Sequence, residues 1–354
     1  MTIWNNVEYV VIILKYLYWG MERMVGKKKV GLILAGVMWI SMFAACSTDN
    51  NTSKDIKKVG IVQYIQHPAL DASNEGFVEG LKEKGYEEGK NLEIEQQNAQ
   101  GKIDVSQQLA GQFVTGKKNL IFAIATPTAQ AVLNATKDIP IVFTSVTDPV
   151  DAGLADSLES SGKNITGTTD KVNIDEQLQL FKKICPNAKT MGVVYTTSEA
   201  NSTNQVKELK EAAPKYGFTI KEIGVANINE INQNLSNSIS SIDCLYVPTD
   251  NNVAASYSLV GGICVKNNIP IISAEPALVK QGGLVSKGID YFELGKMAGI
   301  KAAEILDGKK PSEIKIEPMK ELKITINTEV AEKLEINIPE DIQSAAEKVT
   351  GGVN

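Results

Sequence analysis

Hydroxyl, amide and carboxylate side chains follow the short apolar runs of this chain, and their chemistry points to a binding site. Few lysines or arginines accompany them, so the set suits a small zwitterion. Helix starts at residues 126–128 and 201–202 would offer N–H groups to a carboxylate, and Asp148, Glu199 or Asp250 would hold an ammonium group. We therefore predict ligand contacts from Tyr64, His67, Thr126, Thr128, Thr147, Asp148, Glu199, Asn201, Ser202, Asp250, Asn251 and Glu275.

The same residues also have an ordinary structural interpretation. Ser, Thr, Asn and Asp commonly cap the helix that follows them, so capping explains any one of these loops as well as ligand binding does. His67 alone would fit a locally bonded loop residue, and Tyr64, Tyr195, Tyr246 and Tyr291 would each fit a core aromatic. Six such loops on two similar units favour a shared cleft.

Short apolar runs alternate with amphipathic stretches, and they predict the elements that position these loops. Residues 59–62, 92–95, 120–124 and 139–143 predict strands with helices between them. The pattern starts again at residues 191–195, with residues 164–173 as the crossover. Continuous apolar strands separated by helices are typical of doubly wound parallel sheets, in which ligands collect at the carboxyl ends of the strands. We therefore predict an α/β fold of two such units.

Composition excludes several classes of function. The formal net charge of −6 argues against a nucleic-acid partner. His67 is the single histidine and no CxxC pair exists, so little material is available for a metal site. No nucleophile or phosphate-binding loop accompanies Asp148 and Glu199, and we expect neither an enzyme nor a cofactor.

The N-terminal region carries an export signal. Lysines at residues 27–29 precede the uncharged run 30–45, and Cys46 follows two alanines. This order is typical of a signal peptide, and the cysteine resembles the lipobox of bacterial lipoproteins, which implies lipid on Cys46 and an extracytoplasmic, membrane-anchored protein. The alternative is an uncut signal anchor, although the run of 16 residues is shorter than the ~20 that span a bilayer.

Residues 1–20 fit no part of this signal, because signal peptides begin close to their basic residues. We expect the start at Met21 or Met24, with residues 1–20 or 1–23 as an upstream mis-start. The signal region would then end at residue 45, and residues 46–56 would form the lipid-anchored linker. Trp4, Trp19 and Trp39 all precede Cys46, so we expect no tryptophan in the mature chain.

A series of short motifs stands in one order along residues 57–330. The motifs are His67-Pro68-Ala69-Leu70-Asp71, Gln97-Asn98-Ala99-Gln100-Gly101, Ala125-Thr126-Pro127, Thr147-Asp148-Pro149, Asn164-Ile165-Thr166-Gly167, Ser198-Glu199-Ala200-Asn201-Ser202, Pro248-Thr249-Asp250-Asn251 and Gly288-Ile289-Asp290-Tyr291. In order and spacing they resemble the substrate-binding lipoproteins of ABC importers in the tryptophan/tyrosine family.

The resemblance implies a type I periplasmic-binding-protein fold, with two lobes, a hinge of three crossing segments and the ligand between the lobes. Lobe 1 would comprise residues 57–165 and 289–317, lobe 2 residues 166–288 and 318–338, and residues 339–354 would form a loosely ordered tail. Asp290 and Tyr291 join the predicted ligand contacts.

The resemblance also implies a function. The ligand would be an aromatic amino acid, with tryptophan as the first choice, and the partner an ABC permease; we expect a monomer. Two alternatives remain open, a binding protein that serves a membrane receptor and one that carries a non-aromatic solute.

Overall fold

Two β-sheets organise the chain, which the computed structural model describes over residues 56–352. The predicted signal region 1–45, Cys46 and residues 47–55 of the predicted linker lie outside the described residues. Within residues 56–352, no helix is both long and apolar enough to cross a membrane.

The first sheet forms lobe 1 and follows the predicted alternation of strands and helices. Its strands are β1 (Lys57–Gln63), β2 (Leu92–Asn98), β3 (Leu120–Ile124), β4 (Ile141–Val146) and β5 (Ile165–Thr169). The helices between them are α1 (Pro68–Glu83), α2 (Ile103–Thr115) and α3 (Thr126–Ala135). These strands run parallel in the order β2-β1-β3-β4-β5. Every residue of β3 and β4 is buried, which explains the apolar sequence of β3 and of the first half of β4.

The second sheet forms lobe 2. Its strands are β6 (Thr190–Thr196), β7 (Thr219–Val225), β8 (Cys244–Val247), β9 (Ile271–Ser273), β10 (Val285–Gly288), β12 (Lys323–Asn327) and β13 (Glu347–Val349). The helices are α4 (Ile174–Ile184), α5 (Ala200–Ala212), α6 (Ile231–Ser238), α7 (Asn251–Ala255), α8 (Tyr257–Lys266), α10 (Thr328–Lys333) and α11 (Glu340–Ala345). The strand order is β7-β6-β8-β9-β10-β12-β13, and only the pairing of β10 with β12 is antiparallel.

The chain passes between the lobes three times. It leaves lobe 1 after β5 and returns after β10 with α9 (Tyr291–Leu306), which packs on α1. Strand β11 (Glu317–Pro318) then pairs with β5, and the chain crosses back to β12 in lobe 2. Two parallel-sheet lobes joined by three crossing segments agree with the predicted fold.

Two local expectations differ from the structure. The first crossing comes after Thr169 rather than at Ile165, because β5 pairs with β4 and the Thr168 hydroxyl lies 2.9 Å from that of Thr144. The segment after residue 339 is not loose: it forms α11 and β13, β13 pairs with β12, and the Asn327 side chain donates to Gly351 O at 2.9 Å. Neither pairing has a local sequence signal.

Four glycines allow α1 and α9 to pack with their backbones in contact. A Cβ atom at Gly76 would lie 2.0 Å from Phe292 O, and one at Gly295 would lie 1.9 Å from Ser73 O. Gly80 and Gly299 are similarly enclosed, at 2.3 and 2.2 Å from backbone oxygens of the facing helix. The returning segment is thereby held tightly on lobe 1, and Tyr291 at the start of α9 is held with it.

We expect Gly295→Ala to destabilise the protein by about 1–3 kcal/mol, because the added methyl group overpacks a backbone contact. Alanine is the better helix former by ~1 kcal/mol. A lower free energy of unfolding would therefore show that packing dominates, and a higher one that helix propensity dominates. Urea unfolding of the variant and of the wild type measures the difference.

The matched control is Gly111→Ala in α2, where nothing lies within 4 Å of the added atom. This variant should be neutral or more stable by up to ~1 kcal/mol. Equal changes in the free energy of unfolding for Gly295→Ala and Gly111→Ala would contradict the close packing of α1 on α9.

Candidate functional site

Each sheet has a switch point, and the two switch points provide the loops of one cleft. In lobe 1 the strand order reverses between β1 and β3, and in lobe 2 between β6 and β8. Ligands of doubly wound sheets bind beyond the carboxyl ends of the strands at this point. The loops that follow these four strands contain His67, Thr126, Glu199 and Asp250, so the structure brings together residues that are far apart in sequence.

The lobe 1 wall has a strained backbone at the start of α3. Ala125 precedes this helix with φ 84° and ψ 155°, a combination that is essentially restricted to glycine. Thr126 is 1% exposed, and its Oγ1 has no hydrogen-bond partner. The Oγ1 of Thr128 instead donates to Ile124 O at 2.6 Å, so it is already engaged by the end of β3. The free hydroxyl of Thr126 and the N-terminus of α3 therefore share one position in the wall.

The lobe 2 wall contains two buried carboxylates with complete hydrogen bonding. Glu199 accepts from the side-chain amides of Asn201, Asn251 and Asn252 at 2.5–3.1 Å and from two backbone N–H groups. Burial and the nearby Asp250 raise the pKa of Glu199, and these donors oppose the rise.

Asp250 is the second of these carboxylates and caps α7. It accepts from Thr196 N and Oγ1, Ser202 Oγ and Val253 N at 2.5–2.9 Å. A carboxylate has about four acceptor positions, and lobe 2 itself fills all four here. The hydrogen bonds of Asp250 therefore favour a structural role for its side chain.

Asp148 lies at the rim of the cleft. Its Oδ1 accepts from Val150 N and Asp151 N at 3.0 Å, and its Oδ2 pairs with Lys171 Nζ at 2.7 Å. Lys171 also contacts Glu208 at 3.1 Å, so this ion pair joins the lobes. All three carboxylates that the sequence assigned to a ligand ammonium group are thus already engaged.

The two lobes touch across the cleft. The hydroxyl oxygens of Thr147 and Thr249 lie 2.8 Å apart, and His67 Nε2 lies 3.4 Å from Asn251 Oδ1. The cleft is therefore closed at these points, with Tyr64 buried on the lobe 1 side, where it donates to Gly101 O at 2.8 Å.

A second pair of buried carboxylates lacks such partners. Asp170 Oδ2 accepts from Tyr291 Oη at 2.9 Å, but Asp170 Oδ1 and Glu275 Oε2 are buried with no hydrogen-bond partner. Burial raises the pKa of Asp170 to about 6. Burial, followed by the charge of Asp170, raises the pKa of Glu275. Within residues 56–352, the only basic side chain within 4.0 Å of either is His67, whose Nδ1 lies 3.7 Å from Glu275 Oε2.

Sequence reasoning missed Asp170, whose carboxylate the Tyr291 hydroxyl contacts. Asp170 directly follows β5, so recognising residues 165–169 as a strand would have identified it. Asp290 caps α9 and pairs with Lys323 at 3.1 Å, so its carboxylate is already engaged. Tyr195, which the sequence allowed as a core aromatic, donates to Glu222 on the neighbouring strand β7.

We expect Asp250→Ala to lower the free energy of unfolding by about 2–5 kcal/mol, since it removes a helix cap and leaves buried donors unpaired. Asp290→Ala is the matched control, because it removes a cap whose side chain is 34% exposed; it should cost about 0.5–2 kcal/mol. Urea unfolding without ligand measures both. Normal stability of Asp250→Ala with loss of ligand binding would instead favour the ammonium role.

Known proteins share this architecture. The family model described as ABC transporter substrate binding protein matches residues 58–350. The tyrosine-binding protein of Clostridioides difficile (strain R20291) is 44% identical over 320 residues, which cover 88% of this chain and 93% of the relative.

Two solved structures differ in how well they superimpose. An ABC domain from Streptococcus pneumoniae in complex with L-Trp is 35% identical, covers 83% of this chain and 99% of its own, and has a TM-score of 0.81. The ligand-free, open structure of a Clostridium difficile substrate-binding protein with adhesive properties is 45% identical, covers 84% and 100%, and has a TM-score of only 0.64. The lobes thus lie closer to their arrangement in the complex than to that in the open form.

The fold is the type I periplasmic-binding-protein fold, and the matches to the family model and to these relatives cover nearly all of the described residues. The chain belongs to the substrate-binding proteins of ABC transporters, a family whose function is to bind a solute rather than to catalyse a reaction.

Proposed function

We propose that this protein captures an aromatic amino acid between its lobes outside the cytoplasm and delivers it to an ABC importer. The observation that carries the proposal is the set of buried polar atoms without partners that both lobes present to the cleft. Buried polar atoms without partners are costly, and a ligand with a carboxylate and an ammonium group supplies both kinds of partner. The aromatic class is supported by the ligands named for the relatives, tyrosine and L-Trp.

The start of α3 is the proposed carboxylate site. The Thr126 hydroxyl has no partner, and it lies at the N-terminus of a ten-residue helix, where the helix dipole favours an anion. The strain at Ala125 is consistent with a backbone held in position for a ligand.

Closure of the lobes is the proposed signal to the permease. The direct contacts between the lobes include polar pairs such as Thr147 with Thr249, which water can replace when the lobes open. A ligand that contacts both walls therefore shifts the population toward the closed form by its differential affinity. We expect the protein to act as a monomer.

We expect L-tryptophan to bind with a ratio near one per protein. Because residues 46–354 contain no tryptophan, added L-tryptophan is the only indole, and burial in a desolvated cleft should shift its emission to the blue and raise its anisotropy. Competition with L-tyrosine and L-phenylalanine ranks the aromatic ligands, and L-leucine is the control. Free-ligand emission at high protein concentration, together with stabilisation by L-leucine, would refute the aromatic assignment.

We further propose that Cys46 carries lipid that anchors the mature protein. The support is the basic, apolar and Ala-Ala-Cys order of residues 27–46.

Mass spectrometry of the membrane-extracted protein should show a lipopeptide that begins at Cys46. Cys46→Ala should abolish the modification, whereas Cys185→Ala, at a thiol within the folded region, should leave it in place. An intact peptide across Ala45 and Cys46 in the mature pool would show that the segment is an uncut anchor.

A further inference from the structure

We propose that Asp170, Glu275 and His67 together form the site for the ligand's ammonium group. This inference rests on the proposed function and deepens it, since it assigns recognition of the amino group to residues on both sides of the cleft. The sequence had assigned that group to Asp148, Glu199 or Asp250.

The first argument is the unequal hydrogen bonding of the buried carboxylates. Lobe 2 supplies five donors to Glu199 and four to Asp250, so neither has acceptor capacity left. Asp170 and Glu275 are each 3% exposed, and each keeps one buried oxygen with no donor. A buried carboxylate without donors requires a cation or a proton, so these two oxygens are where a cationic group of the ligand is stabilised most.

The second argument is the tautomer of His67. The Asn251 side-chain nitrogen donates to Glu199 at 2.5 Å, so Asn251 Oδ1 is the atom that faces His67 Nε2 and it must accept. Nε2 therefore carries the hydrogen. Burial lowers the pKa of His67 to about 4, and in the neutral ring Nδ1 is then an acceptor. Nδ1 cannot compensate the charge of Glu275, from which it lies 3.7 Å away.

The third argument is that the number of free acceptors equals the number of donors on an ammonium group. Asp170 Oδ1, Glu275 Oε2 and His67 Nδ1 are three buried acceptors without partners, and a primary ammonium group has three N–H donors. Ala274 and Tyr291 belong to one buried cluster, so Glu275 next to Ala274 and the Asp170 carboxylate bound by Tyr291 lie in the same region of the cleft. The Tyr291 hydroxyl holds Asp170 by its other oxygen and leaves Oδ1 available. Without ligand, a proton on Glu275 shared with His67 Nδ1 would occupy the same place.

The test compares amino acids with analogues that lack only the amino group. L-tryptophan is paired with indole-3-propionic acid, and L-tyrosine with 3-(4-hydroxyphenyl)propionic acid. For the wild type, calorimetry should show the amino acid binding more tightly by ~30-fold or more, the lower end expected for a buried charge pair. Asp170→Asn and Glu275→Gln, each made separately, should weaken binding of the amino acid by a similar factor. The affinity for the analogue should stay within about threefold of the wild-type value.

Asp243→Asn is the matched control. Asp243 accepts from Lys189 N and Thr190 N at 2.9 and 2.8 Å, beside the amino end of β6 and so opposite the cleft. Its replacement should leave the affinity ratio unchanged.

Unfolding measurements without ligand distinguish recognition from structural support. Each amide substitution removes a buried charge and keeps an oxygen that can accept a hydrogen bond, so it should keep or raise the free energy of unfolding. Unfolding of both Asp170→Asn and Glu275→Gln would therefore overturn the proposal. It also fails if either variant folds and keeps the wild-type affinity ratio, although binding of aromatic amino acids would then still stand. If the wild type binds neither amino acid, the proposed function itself is wrong.

Discussion

Four carboxylates buried between the lobes set the requirements that the rest of the cleft has to meet. Burial disfavours the charged form of each, and like charges nearby add to that effect for Glu199 and Glu275. Glu199 and Asp250 are compensated by donors from the loops that follow β6 and β8, so the same hydrogen bonds fix those two loops to one another. Asp170 and Glu275 are left with unfilled oxygens. The protein thus supplies donors to Glu199 and Asp250, which support the structure, and leaves Asp170 and Glu275 available to a ligand.

Close packing in lobe 1 positions the opposite wall. The glycines of α1 and α9 bring the two helices into backbone contact, and the Ser73 hydroxyl lies 2.9 Å from Ser145 Oγ and 3.2 Å from Tyr291 O. Ser145 itself has a positive φ of 54°. The start of α9, the end of β4 and helix α1 are thus held as one rigid group. Because Tyr291 belongs to that group, the packing of α1 and α9 also positions its hydroxyl, which donates to Asp170 at the hinge.

Polar contacts between the lobes suit a protein that must open and close. The Thr147–Thr249 pair and the Lys171 ion pairs each stabilise the closed form only slightly. Water replaces them on opening, and the ion pairs are partly exposed. The large apolar cores belong to the individual lobes, and one small apolar cluster, with Ala69 from lobe 1 and Ala274 from lobe 2, lies between them. Opening therefore leaves the large cores intact and breaks only the smaller set of contacts between the lobes.

The alternation of strands and helices in each unit and the two-lobe α/β architecture were predictable from the sequence. Buried parallel strands need unbroken apolar runs, and the carboxyl ends of such strands meet at one edge. The sequence did not predict the pairing of Ile165–Thr169 or the docking of residues 340–352, because short polar strands carry no periodic signal.

What the sequence by itself determined is the chemical character of the cleft, rich in acceptors and poor in cations. Only the tertiary structure decided which carboxylates are already satisfied. Asp250 takes donors from Thr196 and Ser202, about fifty residues away, whereas Glu275 Oε2 receives none. Hydrogen-bond saturation depends on which distant donors the fold brings within 3 Å, and no local pattern of residues contains that information.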